Sequence, residues 1–194
     1  MKKWSIVPIL VLGMVSLAAA AEPKKNAVQP ALLVIDVQNA YLPYMDAQER
    51  EQAMAAINGY ISLFRLYKLP VIRIYHTDPQ GGAPPGSEPF EFAKSVLIQD
   101  GDAKVVKNYG NAFKKTDLDR LLRERGINTL FLCGLSATAC VLATYHGAVD
   151  LDYDTFLLKG ALLSGHAELT RAVQDICQTV DYGPLKLILE LCKP

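Results

Sequence analysis

Three side chains of this sequence have the types needed to break an amide-like bond. Asp36 can act as a general base and then as an acid, Lys107 supplies a positive charge, and Cys140 supplies a thiol. A free thiol, with a pKa of about 8.5, is mostly protonated at neutral pH, and only the thiolate attacks well. We expect Lys107 and a helix N-terminus at Cys140 to favour the thiolate. Such a set predicts nucleophilic catalysis through a thioester.

Alternating strands and helices are predicted to carry these residues. Apolar runs predict strands at 31–36, 70–75, 103–107, 128–133, 155–158 and 185–191, and helical spacing predicts helices at 46–67, 117–125, 138–149 and 166–177. Strands that are apolar throughout and alternate with helices are typical of a parallel sheet covered on both faces. The sequence therefore predicts a three-layer, Rossmann-like α/β domain with a mainly parallel sheet of about six strands.

The three reactive residues fall at one edge of this predicted sheet. Asp36 closes the first strand, Lys107 closes the third, and Cys140 lies at the start of the helix after the fourth. Ligands of open α/β sheets bind beyond the carboxyl ends of the strands. Taken singly, Asp36 fits a turn or cap residue, Lys107 a solvated residue and Cys140 a small core residue. Their coincidence at one edge favours a shared site.

Three longer segments surround these residues: ALLVIDVQNAYL at 31–42, KNYGNAFKKTDLDRLLRERGINTLFLCGL at 107–135 and ATACVLATYHGA at 137–148. Together they resemble the isochorismatase-like cysteine hydrolase superfamily, which includes nicotinamidases and N-carbamoylsarcosine amidohydrolases. The resemblance implies that Asp36, Lys107 and Cys140 form a catalytic triad. It also implies a cis peptide bond at Leu135–Ser136, with the backbone amides of Ser136 and Cys140 as the oxyanion hole. The implied reaction is hydrolysis of a small amide, ureide or carbamoyl C–N bond.

Departures from the family pattern bear on the substrate and on metal binding. Ala137 and Thr138 stand where the family often has Thr and Asp. Nicotinamidases carry a metal-binding Asp-x-His and further histidines, whereas His76, His146 and His166 are dispersed here. Because a zinc site needs about three protein ligands, we predict no metal and no cofactor, and we disfavour nicotinamide as the substrate. His76 is interpreted as a turn residue at the end of a strand.

A small, nearly neutral and partly aromatic substrate pocket is predicted beside the reactive residues. Its assigned members follow the first strand, the third strand and Cys140: Gln38, Tyr41, Tyr109, Phe113 and Tyr145. The loop 78–92, which has four Pro and three Gly, is either a lid that selects the substrate or a passive surface insertion. Phe90 and Phe92 are further candidates for the pocket wall. The sequence has no basic cluster that would demand a carboxylated or phosphorylated substrate.

The first residues have the pattern of a secretory signal peptide. Lys2 and Lys3 precede an apolar run at 4–17, and four alanines follow at 18–21. The run is short for a bilayer span of about 20 residues, so we expect cleavage near Ala20 or Ala21 rather than a membrane anchor. The predicted organisation is a signal peptide at 1–21, a polar tether at 22–30 and a hydrolase domain at 31–194, in the periplasm or secreted.

The charge balance limits the partners. The chain has 20 Lys+Arg and 20 Asp+Glu in 194 residues, and removing residues 1–21 leaves 18 basic against 20 acidic residues. This balance gives no electrostatic reason to bind nucleic acid or an anionic membrane. We therefore predict a small-molecule substrate, no nucleic acid and no membrane in the mature form. A homo-oligomer is expected because many members of the resembled superfamily are oligomers.

The remaining cysteines and two other functions stay open. Cys133 ends a buried strand and is predicted to be a core residue, while Cys177 and Cys192 would pair in an oxidising compartment only if their Cα atoms come close. A catalytically silent binding protein on the same fold is one alternative, supported by the Ala137-Thr138 departure. A thiol redox protein is the other, although the sequence has no C-x-x-C spacing.

Overall fold

The computed structural model describes residues 27–80 and 82–191, so the predicted signal peptide, most of the tether and Cys192 lie outside the described residues. One sheet runs through the described part, with all its neighbouring strands parallel in the order β3-β2-β1-β4-β5-β6. The strands are β1 (Pro30–Ile35), β2 (Val71–His76), β3 (Ala103–Lys107), β4 (Thr129–Leu135), β5 (Asp154–Leu163) and β6 (Thr179–Val180). The order reverses between β1 and β4, which makes that gap the topological switch point.

Helices cover both faces of the sheet, which confirms the three-layer prediction. In β1 all six residues are buried, with Leu32 and Val34 in the core on one face and Leu33 and Ile35 in the core on the other. None of the helices in the described part combines the length and the apolar content needed to cross a bilayer. The first core contains residues of α1 (Ala47–Leu66) and α5 (Tyr182–Leu191), and the second contains residues of α2 (Leu118–Glu124), α3 (Leu142–Val149) and α4 (Ala167–Ile176).

The predicted strand at 185–191 is wrong, because these residues belong to α5 and the sixth strand is the two-residue β6. The apolar residues of LKLILEL fit the period of a strand as well as that of a helix. In α5, Leu185 and Leu189 lie one turn apart and are both fully buried, which is the helical solution. Pro184 lies in the first turn, where its missing N–H costs no helical hydrogen bond.

Gly134 allows β4 to approach β1 closely at the switch point. Its φ is +114°, and a Cβ at this position would collide with the backbone carbonyl oxygen of Ile35. The pairing of β4 with β5 also shifts register between Leu132 and Gly134. Only glycine combines this backbone conformation with this close approach. Because Ile35 directly precedes Asp36, the contact fixes the backbone that carries the Asp36 carboxylate.

Candidate active site

The structure brings the three reactive side chains predicted from sequence together at the carboxyl edge of the sheet. Asp36 follows β1 and is 2% exposed, and Lys107 ends β3 with its side chain fully buried. Lys107 Nζ donates a hydrogen bond to Asp36 Oδ2 at 2.7 Å. Cys140 Sγ, an Asp36 carboxylate oxygen and a ring nitrogen of His76 all lie within 4.8 Å of one another. The resulting cluster has a thiol, a carboxylate, an ammonium and an imidazole.

Gln38 joins the segment after β1, which carries Asp36, to the end of β2, which carries His76. Its Nε2 donates to the carbonyl oxygens of His76 and Phe90 at 3.0 and 2.7 Å, and its Oε1 accepts from the His76 amide at 2.7 Å. Asp36 itself has a φ of +52°, a left-handed conformation that Asp tolerates better than most residues. Gln38 is fully buried and does not line the cavity, so it supports the site from beneath rather than contacting a ligand.

A tight turn after β4 presents Cys140. The peptide bond Leu135–Ser136 is cis, as the sequence resemblance implied. One π-helical turn, Ala137–Val141, follows and leads directly into α3. The hydroxyl oxygens of Ser136 and Thr138 lie 3.2 Å apart, so the unusual Thr138 takes part in the local contacts of this turn. Cys140 is thereby held at the start of α3, facing the end of β1.

Burial dominates the electrostatics of the cluster. It raises the pKa of Asp36 from its ordinary value to about 6, against the opposing attraction of Lys107. Burial, followed by the negative charge of Asp36, raises the pKa of the Cys140 thiol to about 11. Lys107 lowers the pKa of Cys140, in the direction expected from sequence, but burial and Asp36 outweigh it and the thiol is protonated at rest. Lys107 is paired with Asp36, so its charge offsets only part of the cost of ionising Cys140.

His76 belongs to the site, although its sequence position predicted only a turn residue at the end of a strand. It is the last residue of β2 rather than a turn residue, and it lines the cavity next to Cys140. Its Nδ1 lies 3.1 Å from Lys107 Nζ. Burial and the neighbouring ammonium lower the pKa of His76, which keeps the ring neutral. Its place at the end of the second predicted strand, at the same sheet edge as Asp36 and Lys107, was the available signal.

The donor types of Asp36, His76 and Cys140 resemble those of a zinc site. The Lys107 ammonium, however, already contacts two of the three, at 2.7 Å from Asp36 Oδ2 and 3.1 Å from His76 Nδ1. An added cation would sit beside a buried positive charge, and Coulomb repulsion disfavours that arrangement. The residues present therefore fit an internal ammonium better than a metal ion.

A cavity of about 270 Å³ opens above the thiol. Ligand pockets commonly measure about 300–1,000 Å³, so this cavity suits a compact molecule. Apolar and aromatic side chains form most of its wall, and the Tyr41 ring lies 6.0 Å from the His76 ring. The lining residues are Asp36, Tyr41, Tyr44, Met45, His76, Leu135, Ser136 and Cys140.

The other three aromatic residues assigned to the pocket lie elsewhere. The Tyr109 ring packs under the ammonium groups of two lysines, at 4.4 and 5.4 Å. Phe113 stacks on Tyr153 at 5.7 Å, in the core beneath α2 and α3. The Tyr145 hydroxyl accepts a hydrogen bond from the Gln178 amide at 3.1 Å. None of the three is among the described residues that line the cavity, and each contacts another part of the chain.

The end of the loop 78–92 is part of the core instead of the pocket wall. Phe90 and Phe92 are buried and pack on Tyr75 with ring centroids 5.0 and 4.6 Å away. Phe92 also bridges to Gln38 through the backbone. These contacts place this part of the loop against the segment between Asp36 and Tyr41, so it supports the cavity from behind.

The fold and the site together define a three-layer α/β protein with a thiol, a carboxylate and an ammonium at the switch point of a parallel sheet. Residues 30–176 match the isochorismatase domain family. The chain is 31% identical over 154 residues to the isochorismatase family protein YddQ of Bacillus subtilis (strain 168), covering 77% of each chain. It is 25% identical over 159 residues to the maleamate amidohydrolase of Pseudomonas putida, covering 72% of this chain and 75% of that protein.

Similarity to further proteins extends over most of the chain. An identity of 26% over 184 residues relates it to the ureidoacrylate amidohydrolase of Azorhizobium caulinodans, covering 75% of this chain and 81% of that protein. The solved structure of an isochorismatase family protein from Burkholderia thailandensis superposes with a TM-score of 0.72 at 26% identity, covering 84% of this chain and 96% of that one. The chain belongs to the isochorismatase family, and it is a hydrolase.

Proposed function

We propose that this protein is an exported amidohydrolase that cleaves the C–N bond of a small amide, ureide or carbamoyl compound through a thioester at Cys140. The observation that carries this proposal is the state of the Asp36 carboxylate. Lys107 holds Oδ2 at 2.7 Å, while the buried Oδ1 has no hydrogen-bond partner in the described part of the chain and belongs to the carboxylate beside the Cys140 thiol. The two amidohydrolase relatives support C–N hydrolysis.

Acylation begins with a proton transfer from Cys140 to Asp36. At neutral pH the thiol is protonated and Asp36, with its pKa of about 6, is ionised. The sulfur attacks the substrate carbonyl carbon as its proton moves to the free carboxylate oxygen, and the carbonyl electron pair moves onto oxygen. Lys107 stays beside Asp36 while the negative charge moves from the carboxylate to the substrate oxygen. The total charge of cluster and substrate is unchanged, and the oxyanion is the group that now has to be stabilised.

The backbone of the turn at Cys140 would stabilise the oxyanion. We assign the amides of Ser136 and Cys140 to this role. The neighbouring Val141 amide donates to the Ser136 carbonyl at 3.1 Å. This bond supports the assignment because it curls the chain around the sulfur and keeps the turn rigid.

The end of acylation and the deacylation that follows reuse the same groups. Asp36 returns the proton to the leaving nitrogen as the C–N bond breaks, which releases ammonia or an amine and leaves the thioester. Asp36 then takes a proton from water, the resulting hydroxide adds to the thioester, and the C–S bond breaks. The departing sulfur recovers the proton from Asp36. One carboxylate thus acts as base, acid, base and acid again, and it ends the cycle ionised.

The test is ammonia release from a panel of small amides and ureides, with intact mass measured after acid quenching. We expect turnover and a Cys140-linked acyl adduct, both lost in Cys140→Ser. Cys133→Ala is the matched control, because Cys133 is a buried core residue outside the cavity. Binding without turnover or adduct would favour a silent binding protein, and turnover only with a thiol reductant would favour a redox protein.

Export and assembly are further parts of the proposal. The predicted signal peptide at 1–21 implies a periplasmic or secreted mature chain, which N-terminal sequencing of the periplasmic fraction tests. A chain that keeps Met1 and stays in the cytosolic fraction would contradict export. The expected homo-oligomer is tested by light scattering at several concentrations, and a monomer mass throughout would contradict it.

A further inference from the structure

The charged groups around the cavity disfavour binding of an anionic ligand. Among the described residues that line it, Asp36 alone carries a formal charge at neutral pH. Lys107 lies behind Asp36 with its side chain fully buried and its ammonium already paired. Asp78, whose field reaches both Tyr41 and His76, is also acidic. A carboxylate placed in this cavity would find no cation free to pair with it, and burying an unpaired charge is costly.

His76 presents a neutral hydrogen-bond donor. An ammonium can only donate, so the 3.1 Å contact with Lys107 Nζ makes His76 Nδ1 an acceptor. The ring is neutral, and its single proton is therefore on Nε2. Because His76 lines the cavity and Nε2 has no hydrogen-bond partner in the described part of the chain, this N–H is available to a ligand.

Tyr41 presents a second neutral donor. Its hydroxyl oxygen is buried and has no hydrogen-bond partner within residues 27–80 and 82–191. Burial, followed by the charges of Asp36 and Cys140, raises the pKa of Tyr41 to about 12, so the hydroxyl keeps its proton. A buried hydroxyl without a partner loses the hydrogen bond it makes with water. A ligand that accepts this bond removes that cost.

From this arrangement we infer that the cavity selects an uncharged amide, and that Tyr41 and His76 hold it through neutral donors in the same cavity as Cys140. The inference rests on the proposed hydrolase function and narrows its substrate class. It separates this chain from relatives named for maleamate and ureidoacrylate, whose names denote carboxylates. The preferred substrate is a compact diamide, ureide or similar compound with a second uncharged acceptor beside the scissile carbonyl.

The test compares matched amides that differ only in one charge. Succinamide and succinamate, malonamide and malonamate, and maleamide and maleamate each share the scissile amide. We expect kcat/KM for the uncharged member to exceed that for the carboxylated member by about 100-fold in any pair that is turned over. A preference for the carboxylated member would overturn the inference and leave the hydrolase proposal intact. No turnover of any pair, with no adduct at Cys140, would overturn the hydrolase proposal itself.

Variants at Tyr44 test the charge selectivity of the cavity, and a variant at Tyr41 tests its role as a donor. Tyr44 is 77% exposed at the cavity wall, so Tyr44→Arg adds a cation without disturbing the core. Tyr44→Arg should lower the ratio of kcat/KM for the uncharged amide to kcat/KM for the carboxylated amide by about tenfold. Tyr44→Gln should leave this ratio unchanged. Tyr41→Phe should lower kcat/KM for the uncharged member by about tenfold without altering the rate of Cys140 alkylation. An unchanged ratio in Tyr44→Arg, or an unchanged kcat/KM in Tyr41→Phe, would contradict the assignment.

Discussion

The protonation of one carboxylate controls the proposed reaction. Burial raises the pKa of Asp36 to about 6, so the group can accept the thiol proton above that pH and is already protonated below it. We therefore expect kcat/KM to fall by about tenfold for each pH unit below this pKa and to level off above it. The measurement is a pH profile with circular dichroism recorded at each point. A rate that stays flat down to pH values near the ordinary Asp pKa, with the fold intact, would remove Asp36 as the base.

Replacing the same carboxylate tests its role at fixed pH. Asp36→Asn keeps the shape of the side chain but cannot accept the proton, and we expect a loss of about 1,000-fold in kcat/KM. Asp150→Asn is the matched control, because Asp150 is exposed at the end of α3 and does not line the cavity. Equal activities for the two variants would contradict the mechanism. Thermal unfolding of both variants separates lost chemistry from lost folding, since Asp36→Asn also leaves Lys107 without its carboxylate.

At the scale of elements, the site depends on the close approach of β4 to β1. Gly134→Ala would push a methyl group into the Ile35 carbonyl and shift Asp36, which follows Ile35. Gly126→Ala is the control, because Gly126 also has a positive φ, +67°, but faces open space. We expect the control to lose about 1–2 kcal/mol of unfolding free energy. Gly134→Ala should lose at least about 2 kcal/mol more.

Urea unfolding and kcat/KM measured on both variants decide this prediction. The φ of Gly126, +67°, lies in the left-handed region that Ala can adopt, whereas the φ of Gly134, +114°, does not. The difference between the two variants therefore measures the collision with β1 together with this additional backbone strain. Activity should fall in Gly134→Ala and persist in Gly126→Ala. Equal losses of stability and full activity in both variants would show that the approach of the strands does not position Asp36.

Secondary structure was predicted correctly where the apolar pattern fits one type of element, and wrongly where it fits both a strand and a helix. The buried runs at β1 and β4 suit a central parallel strand alone, and they placed Asp36 and Cys140 at the correct edge. The run at 185–191 satisfies strand and helix periods equally, and only packing of Leu185 and Leu189 against the sheet decides for α5. Tyr145 faces away from the cavity for a related reason, since its hydroxyl finds a partner at Gln178.

At the scale of the whole molecule, the proposed export would place a nucleophilic thiol in an oxidising compartment. Burial of the Cys140 thiol beside Asp36 protects it from oxidation without a lid over the cavity. Oxidation and disulfide exchange proceed through the thiolate, and burial beside Asp36 raises the pKa of Cys140 to about 11. The thiol therefore stays protonated at rest, and it loses its proton to Asp36 only while a carbonyl is under attack.

This protection predicts slow mixed-disulfide formation. Near pH 7.5 a thiol of pKa about 11 has about 300-fold less thiolate than an ordinary thiol of pKa about 8.5. Its thiolate is more nucleophilic, so we expect disulfide exchange at Cys140 to be slower than at an ordinary thiol by about 20-fold. The measurement is the rate at which glutathione disulfide adds to Cys140, followed by intact mass, in the folded protein and in urea. Lys107→Met, which removes the cation that favours the thiolate, should slow the folded protein further. Equal rates in the folded and unfolded chains would mean that burial does not protect the thiol, and exported activity would then require a reducing partner.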